Sequence, residues 1–249
     1  MNKLKELLKI NNSSRERLPK AFQEIARSLM CNYLIKKGQK TYAIVEIEFY
    51  LYNNEHKDFI TYPRHIKEAG RWFFHQSGVD LSFRSENVNI RKGDTTNSCT
   101  ITEKSSFGGI LIRGIYDISS KQYIFGPLKC VNILWDHFDA FGESEGEYPV
   151  LEIASGLPVN LYRCKRFISI RGVEKQKIKI KDWTARLGIE LNDSELECYR
   201  EELFDLPERM CYRFFNLQNG ERPWDFTKIP KAIRPPKEET KRLEQSLPI

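Results

Sequence analysis

The sequence predicts a single mixed domain of the α+β class, on three observations. The chain has 249 residues, 40% of them hydrophobic, which is enough to bury a sizeable core. Residues 42–52 and 79–83 alternate apolar and polar with period two, and residues 109–115 form an almost unbroken apolar run, so each reads as a strand. Phe22, Ile25, Ala26, Leu29 and Tyr33 recur at spacings of three and four, which marks a helix with one apolar face. No linker divides the chain. The domain is expected over residues 1–229, with residues 1–17 as a helical extension and residues 230–249, which contain Pro235-Pro236, as a peripheral tail.

The elements follow in order. Residues 1–10 form a short helix, closed by the turn residues Asn11-Asn12-Ser13-Ser14. Pro19 opens the next helix, because proline lacks only an N–H that a first turn leaves unused. Lys36 and Lys37 fall in its last turn and Gly38 at its C-cap. In the strand over residues 42–52, Ala43, Val45, Ile47, Phe49 and Leu51 share one face. Tyr42, Ile44, Glu46, Glu48, Tyr50 and Tyr52 share the other. A polar loop over residues 53–64 carries His56 and Asp58. Residues 70–83 read as a strand interrupted at Gly78 by a bulge or bend. Residues 84–106 read as a long loop or an exposed hairpin.

The run at 109–115 reads as a buried strand in which Arg113 stands alone. A buried arginine is costly unless paired. It is either half of a core salt bridge or a cation held for an anionic partner, and both require a carboxylate such as Glu46 or Glu48. Residues 128–135 suit a helix or a further strand, and residues 136–152 an acidic, exposed excursion. Residues 163–181 hold eight basic residues against one acid. Within them, residues 177–181 alternate lysine and isoleucine, as an edge strand protected by its lysines or as a ridge contacting phosphates. A short helix over residues 182–188 with Asp182 as N-cap is expected, then a helix capped by Asn192 and Glu195 to about Leu203. A last strand spans residues 210–216.

The net charge of +6 suits a polyanion partner without requiring one. The six cysteines lack any Cys-x-x-Cys pair, so neither a zinc site nor a disulfide framework follows, and scattered thiols fit a reducing compartment. No run of 18 apolar residues is present, and the lysine-bearing N-terminus lacks a signal-peptide core. A cytoplasmic protein without a membrane partner is expected. Glu46, Glu48, His56 and Asp58 match no familiar ligand spacing, so no metal or other cofactor is expected. No obligate protein partner is evident.

Glu46 and Glu48, flanked by Tyr42, Tyr50 and Tyr52, suit the wall of a pocket in which burial tunes a carboxylate for proton chemistry. An ordinary surface strand with two acids is the plainer reading. Several motifs in shared order resemble the alkyladenine (3-methyladenine) DNA glycosylase family. Residues 44–51, Ile-Val-Glu-Ile-Glu-Phe-Tyr-Leu, are similar to its Val-Glu-x-Glu-x-Tyr-Leu strand, and residues 18–38 to the helix before it. Thr61-Tyr62-Pro63-Arg64 resembles a Thr-Pro-Arg segment with one insertion. Ile110-Leu111-Ile112-Arg113-Gly114 resembles Leu-Leu-Arg-Ala, and Phe125-Gly126-Pro127-Leu128-Lys129-Cys130 a Gly-Pro-x-Lys-Leu element. Residues 210–215 with Pro223-Trp224 resemble the closing strand.

The resemblance spans about residues 18–226 and implies a curved, mainly antiparallel sheet with flanking helices, a fold related to the C-terminal domain of formyltransferases. It implies hydrolysis of the N-glycosidic bond of an alkylated purine flipped out of duplex DNA. Glu48 would be the general base that activates water, Arg113 would sit beside it, and Tyr50 would stack on the base. His56, Phe74, His75 and Ser82 would complete the base pocket, and Arg64, Lys129, Arg166 and Arg171 would contact the DNA backbone. Ser77 and Ser82 stand where the family carries a tyrosine and an asparagine. The alternative is a non-catalytic protein of the same fold that binds nucleic acid or a nucleotide.

Overall fold

The computed structural model describes residues 3–11, 13–90, 99–135, 148–166, 168, 170–205, 211–218 and 247–248. Residues 136–147 of the acidic excursion expected over 136–152, the Pro223-Trp224 pair and most of the tail lie outside them, while residues 150–152 of that excursion belong to a strand. The described chain is mixed α+β, built on a curled sheet whose strand pairs are all antiparallel.

Helices α1 (Lys3–Leu7) and α2 (Leu18–Asn32) come first. Then β1 (Tyr33–Lys37) pairs with β2 (Lys40–Tyr52) through a two-residue turn at Gly38 and Gln39. The second helix therefore ends about one and a half turns earlier than its periodicity predicts. Tyr33-Leu34-Ile35 prefers extended backbone, and Gly38, at φ +55°, serves a hairpin turn instead of a helix C-cap.

The long strand β6 (Cys99–Asp117) pairs with β2 over residues 42–52. On the opposite edge of β2, β1 covers its start, while β10 (Arg213–Asn216) pairs with residues 46–48. Beyond β10 lie β9 (Leu161–Cys164) and then β11 (Leu247–Pro248), so this part of the expected peripheral tail is a strand of the sheet. The far edge of β6 carries β4 (Gly78–Ser82), which pairs with β3 (Trp72–His75). Gly78, at φ +149°, starts the return strand of this tight hairpin, so the expected bulge is a reversal of the chain. A Cβ there would lie 2.8 Å from Pro127 Cβ, a close approach that only glycine permits. The polar stretch after Phe83 includes β5 (Glu86–Ile90), hairpinned onto β6. The short strands β7 (Gln122–Phe125) and β8 (Val150–Ile153) pair with β6 and β1.

Two opposed bulges adjust the β2–β6 ladder. Ile44 pairs with Ile115, Glu46 with Gly114 and Ile47 with Ile112, leaving Val45 and Arg113 as the extra residues. They shift the alternation of β2. Tyr42 and Ile44 join Ile47, Phe49 and Leu51 in the core beneath α2, while Ala43 and Val45 face the other side. The two-face reading of this strand therefore holds from Glu46 onward and inverts before it. On the core face Phe22 of α2 stacks on Phe49 at 4.4 Å between ring centres and meets Tyr212 edge-on at 4.8 Å.

Residues 127–134 form α3 (Pro127–Leu134). The lysine-isoleucine alternation belongs to α4 (Val173–Ala185), not to an edge strand, and Asp182 lies inside that helix instead of capping one. Five residues are too short to fix a period. The longer pattern Ile180, Trp183, Thr184, Leu187 has helical spacing, with Ile180, Thr184 and Leu187 buried. Helix α5 (Asp193–Arg200) has the expected capping box between Asn192 and Glu195, and a π-helical turn (Glu201–Asp205) continues it.

Candidate active site on the open face of the sheet

The site lies on the face of the sheet turned away from α2. Register places Cys164, Arg213, Glu48, Leu111, Asp80 and Phe73 in one row across β9, β10, β2, β6, β4 and β3. Tyr50, Gly109 and Ser82 form the next row. Cross-strand neighbours lie about 5 Å apart, so the row brings Glu48 and Asp80 to roughly 10 Å with Leu111 between them.

Glu48 is fully buried. Its Oε2 accepts the Tyr50 hydroxyl and an N–H from Arg113 Nη1 at 3.1 Å. Its Oε1 is buried without a hydrogen-bond partner. Arg113 Nε donates to Glu46 Oε1 at 2.8 Å, and Arg213 reaches the same oxygen through Nε at 2.8 Å and Nη2 at 2.6 Å. Arg113 thus bridges both carboxylates of β2. Burial opposes ionisation of Glu48, but Arg113, Arg213, the Tyr50 hydroxyl and Arg166 outweigh it and hold its carboxyl below the usual range. Burial and the adjacent Glu48 charge push the Tyr50 phenol far above its ordinary value, so it stays a donor.

Arg166 flanks this centre from the segment after β9. It donates to Asp58 through Nη1 at 2.7 Å and Nη2 at 3.2 Å, and to Phe49 O at 3.1 Å. Its guanidinium lies 5.0 Å from the Tyr50 ring centre. The loop after β2 is polar in sequence, yet it buries Asn53, His56, Asp58, Thr61 and Arg64. His56 Nδ1 donates to Leu51 O at 2.7 Å, and burial holds its pKa below the usual histidine value against the pull of Asp58.

Beside Tyr50 opens a cleft of about 110 Å³, lined by Tyr50, Ile60, Tyr62, Arg64, His75, Ser77, Asp80 and Leu111. Asp80 Oδ2 accepts Arg64 Nη1, and Oδ1 lies 3.2 Å from His75 Nε2. His75 Nδ1 accepts the Ser77 N–H at 3.2 Å, which places the ring proton on Nε2, facing Asp80. The rings of Tyr62 and Phe73 stack on His75 at 5.5 and 5.9 Å. Gly109 leaves the room that Arg64 occupies, since a Cβ there would lie 2.9 Å from Arg64 Nη1.

The structure therefore brings Glu48, Arg113, Tyr50 and His75 to one face. Ser82 joins the Tyr50 row, fully buried with an unpartnered hydroxyl. His56 braces the loop and is not among the residues lining the cleft. Phe74 points to the other side of its strand, 44% exposed and packed edge-on against Trp135, because alternation sends Phe73 and His75 toward the cleft instead. Arg64 and Arg166 are buried and ion-paired, which corrects the expectation that they lie on a DNA-facing surface, whereas Lys129 and Arg171 are exposed. Sequence reasoning gave no role in this site to Asp80, Arg213 or Tyr62, and weighed Asp58 only as a metal ligand. Asp80 and Arg213 stand as isolated charges among apolar residues of short strands, the same signal that singled out Arg113.

No family model matches this chain, and no solved structure matches it. An uncharacterized protein of Acanthamoeba polyphaga mimivirus is 28% identical over 126 residues, covering 47% of this chain. The chain spans 58% of the length of that relative. Among the described residues, no helix is long and apolar enough to cross a membrane.

Proposed function

We propose that the protein is a DNA glycosylase that hydrolyses the N-glycosidic bond of an alkylated purine flipped out of the helix. The observation that carries this reading is the asymmetry of Glu48: Oε2 is held by Tyr50 and Arg113, while Oε1 is buried and unpartnered. A water held on Oε1 attacks the sugar C1′ as the bond to the base breaks. Its proton passes to Glu48, and the electron pair of the broken bond leaves with the base. A purine alkylated at N3 or N7 is cationic before cleavage and departs neutral, so the step calls on no metal or redox group. The cleft beside Tyr50, with Tyr62 and His75 stacked in its wall, supplies electron-rich faces for such a base. The net charge of +6 is compatible with a DNA partner.

The test is release of free base from alkylated duplex DNA. Glu48→Gln is expected to lower the rate by about 10²- to 10⁴-fold, the range for loss of a general base, with DNA binding retained. Wild-type protein that releases no base from a panel of lesions overturns the reading. The complete burial of Glu48 beneath Tyr50 and Arg113 favours a second reading, a non-catalytic protein that binds nucleic acid or a nucleotide. Binding without release across the same panel identifies it.

A further inference from the structure

Arg213 has no role in the chemistry above, yet it is built into its frame. It leaves β10 directly opposite Glu48 on β2. Its guanidinium passes 5.0 Å from the Phe215 ring centre and donates to Glu46 Oε1. That oxygen also accepts Arg113 Nε, so Glu46 is clamped between two arginines. Gly114 makes the clamp possible, because a Cβ there would lie 2.8 Å from Glu46 Cβ and 2.9 Å from Phe125 Cδ1. With Nε fixed on Glu46, the fork geometry of the guanidinium aims Arg113 Nη1 at Glu48 Oε2.

We propose that Arg213 is a positioning residue of this site: bound to Glu46, it fixes Arg113 on Glu48 Oε2 and so determines that Oε1 is the oxygen left to hold the attacking water. The role assigned to that water rests on the glycosylase reading; the positioning of the carboxylate does not. The charged and titratable groups around Glu48 are Arg113 on β6, Arg213 on β10, Tyr50 and Glu46 on β2, Cys164 on β9 and Arg166 with its partner Asp58. Arg213 is one of the cations that hold Glu48 below the usual carboxylate range, so its removal raises the Glu48 pKa.

The experiment compares wild type, Arg213→Lys, Arg213→Met and the double variant Glu46→Gln/Arg213→Met, which restores charge balance should Arg213→Met alone fail to fold. Carbon-13 NMR titration of the Glu48 carboxyl in the free protein gives a readout independent of catalysis. The acidic limb of base release gives the second. Arg213→Met is expected to move the Glu48 titration upward, while in the double variant the lost Glu46 charge offsets that shift. Both variants are expected to lower kcat roughly 10- to 100-fold, the usual scale for losing an outer partner of a functional group, with KM nearly unchanged. Arg213→Lys keeps the charge and restores part of the rate. A folded double variant with wild-type kcat, or a folded Arg213→Met variant with wild-type Glu48 titration, overturns the proposal. A titration that moves in a protein whose wild type releases no base leaves the positioning standing and removes the glycosylase reading instead.

Discussion

Replacing Asp80 by alanine isolates the energetics of the cleft from its chemistry. Asp80 and Arg64 are 2% and 1% exposed, and Arg64 Nη1 meets Asp80 Oδ2 at 2.5 Å. Asp80→Ala leaves the Arg64 guanidinium buried without its carboxylate, which costs about 3–5 kcal/mol when a buried pair loses one member. Arg64 keeps a bond from Nε to Tyr62 O at 3.1 Å and its place over the Phe73 ring, 4.5 Å from the centre, so the lower end of that range applies. With an m-value near 3 kcal/mol/M in urea, the unfolding midpoint falls by about 1 M. Burial opposes ionisation of Asp80, but Arg64 and His75 hold its pKa below the usual aspartate value. A depressed carboxylate stabilises fully above its unfolded pKa, about 3.9, and that contribution is lost as pH falls toward the folded value. The gap between wild type and variant is therefore constant from pH 7 to about 4 and narrows below. The double variant Arg64→Met/Asp80→Leu recovers most of the loss, because it buries no unpaired charge. A midpoint shift below about 0.3 M, the scale of an exposed ion pair, or a gap that widens in acid, refutes the reasoning.

Three further outcomes follow from the same geometry. Gly114→Ala forces a Cβ to within 2.8 Å of Glu46 Cβ and 2.9 Å of Phe125 Cδ1, and is expected to cost about 1–3 kcal/mol, read as a fall in Tm by calorimetry. Asn192→Ala removes the N-cap that accepts Glu195 N–H at 3.0 Å, with an expected loss of about 1 kcal/mol in denaturant titration. In native thiol labelling, exposed Cys198 is expected to react first. Buried Cys130 and Cys164 react only on unfolding, since burial raises both thiols, Cys164 to about 12.

How much of this arrangement could be read beforehand depends on how locally each feature is encoded. From Glu46 to Leu51 the alternation of β2 is carried by the residues themselves, and its face follows directly. Before Glu46 the face depends on Val45 and Arg113 being the extra residues of paired bulges, a property of the β2–β6 ladder that neither strand displays alone. Residues 177–181 mislead for a related reason: lysine and isoleucine alternate, but Ile180, Trp183, Thr184 and Leu187 decide which face is buried. Arg113 pointed to a carboxylate because a charge inside an apolar strand must be paired, and Glu46 and Glu48 are where that argument places them. Asp80 carries the same signal. Its partner Arg64 lies 16 residues away in a loop that looks solvated, and nothing in the loop's composition announces its burial.

The pairing has a consequence for recognition. Among the described residues around Glu48, the carboxylates Glu46, Glu48 and Asp58 face Arg113, Arg213 and Arg166, and in the cleft Asp80 faces Arg64. Acids and arginines balance, so the site offers an incoming base no excess negative charge. Under the proposed reading, preference for a cationic base then arises at the ring faces of Tyr50 and Tyr62. Such attraction acts at contact and is worth about 0.5–2 kcal/mol per ring. It is short-ranged enough to survive salt that screens the approach of DNA over a Debye length of about 8 Å. Discrimination between charged and neutral lesions is therefore expected to change little between low and physiological salt, while overall DNA affinity falls. A preference for charged lesions that collapses with salt in step with affinity places the discrimination in the long-range field and not in the cleft.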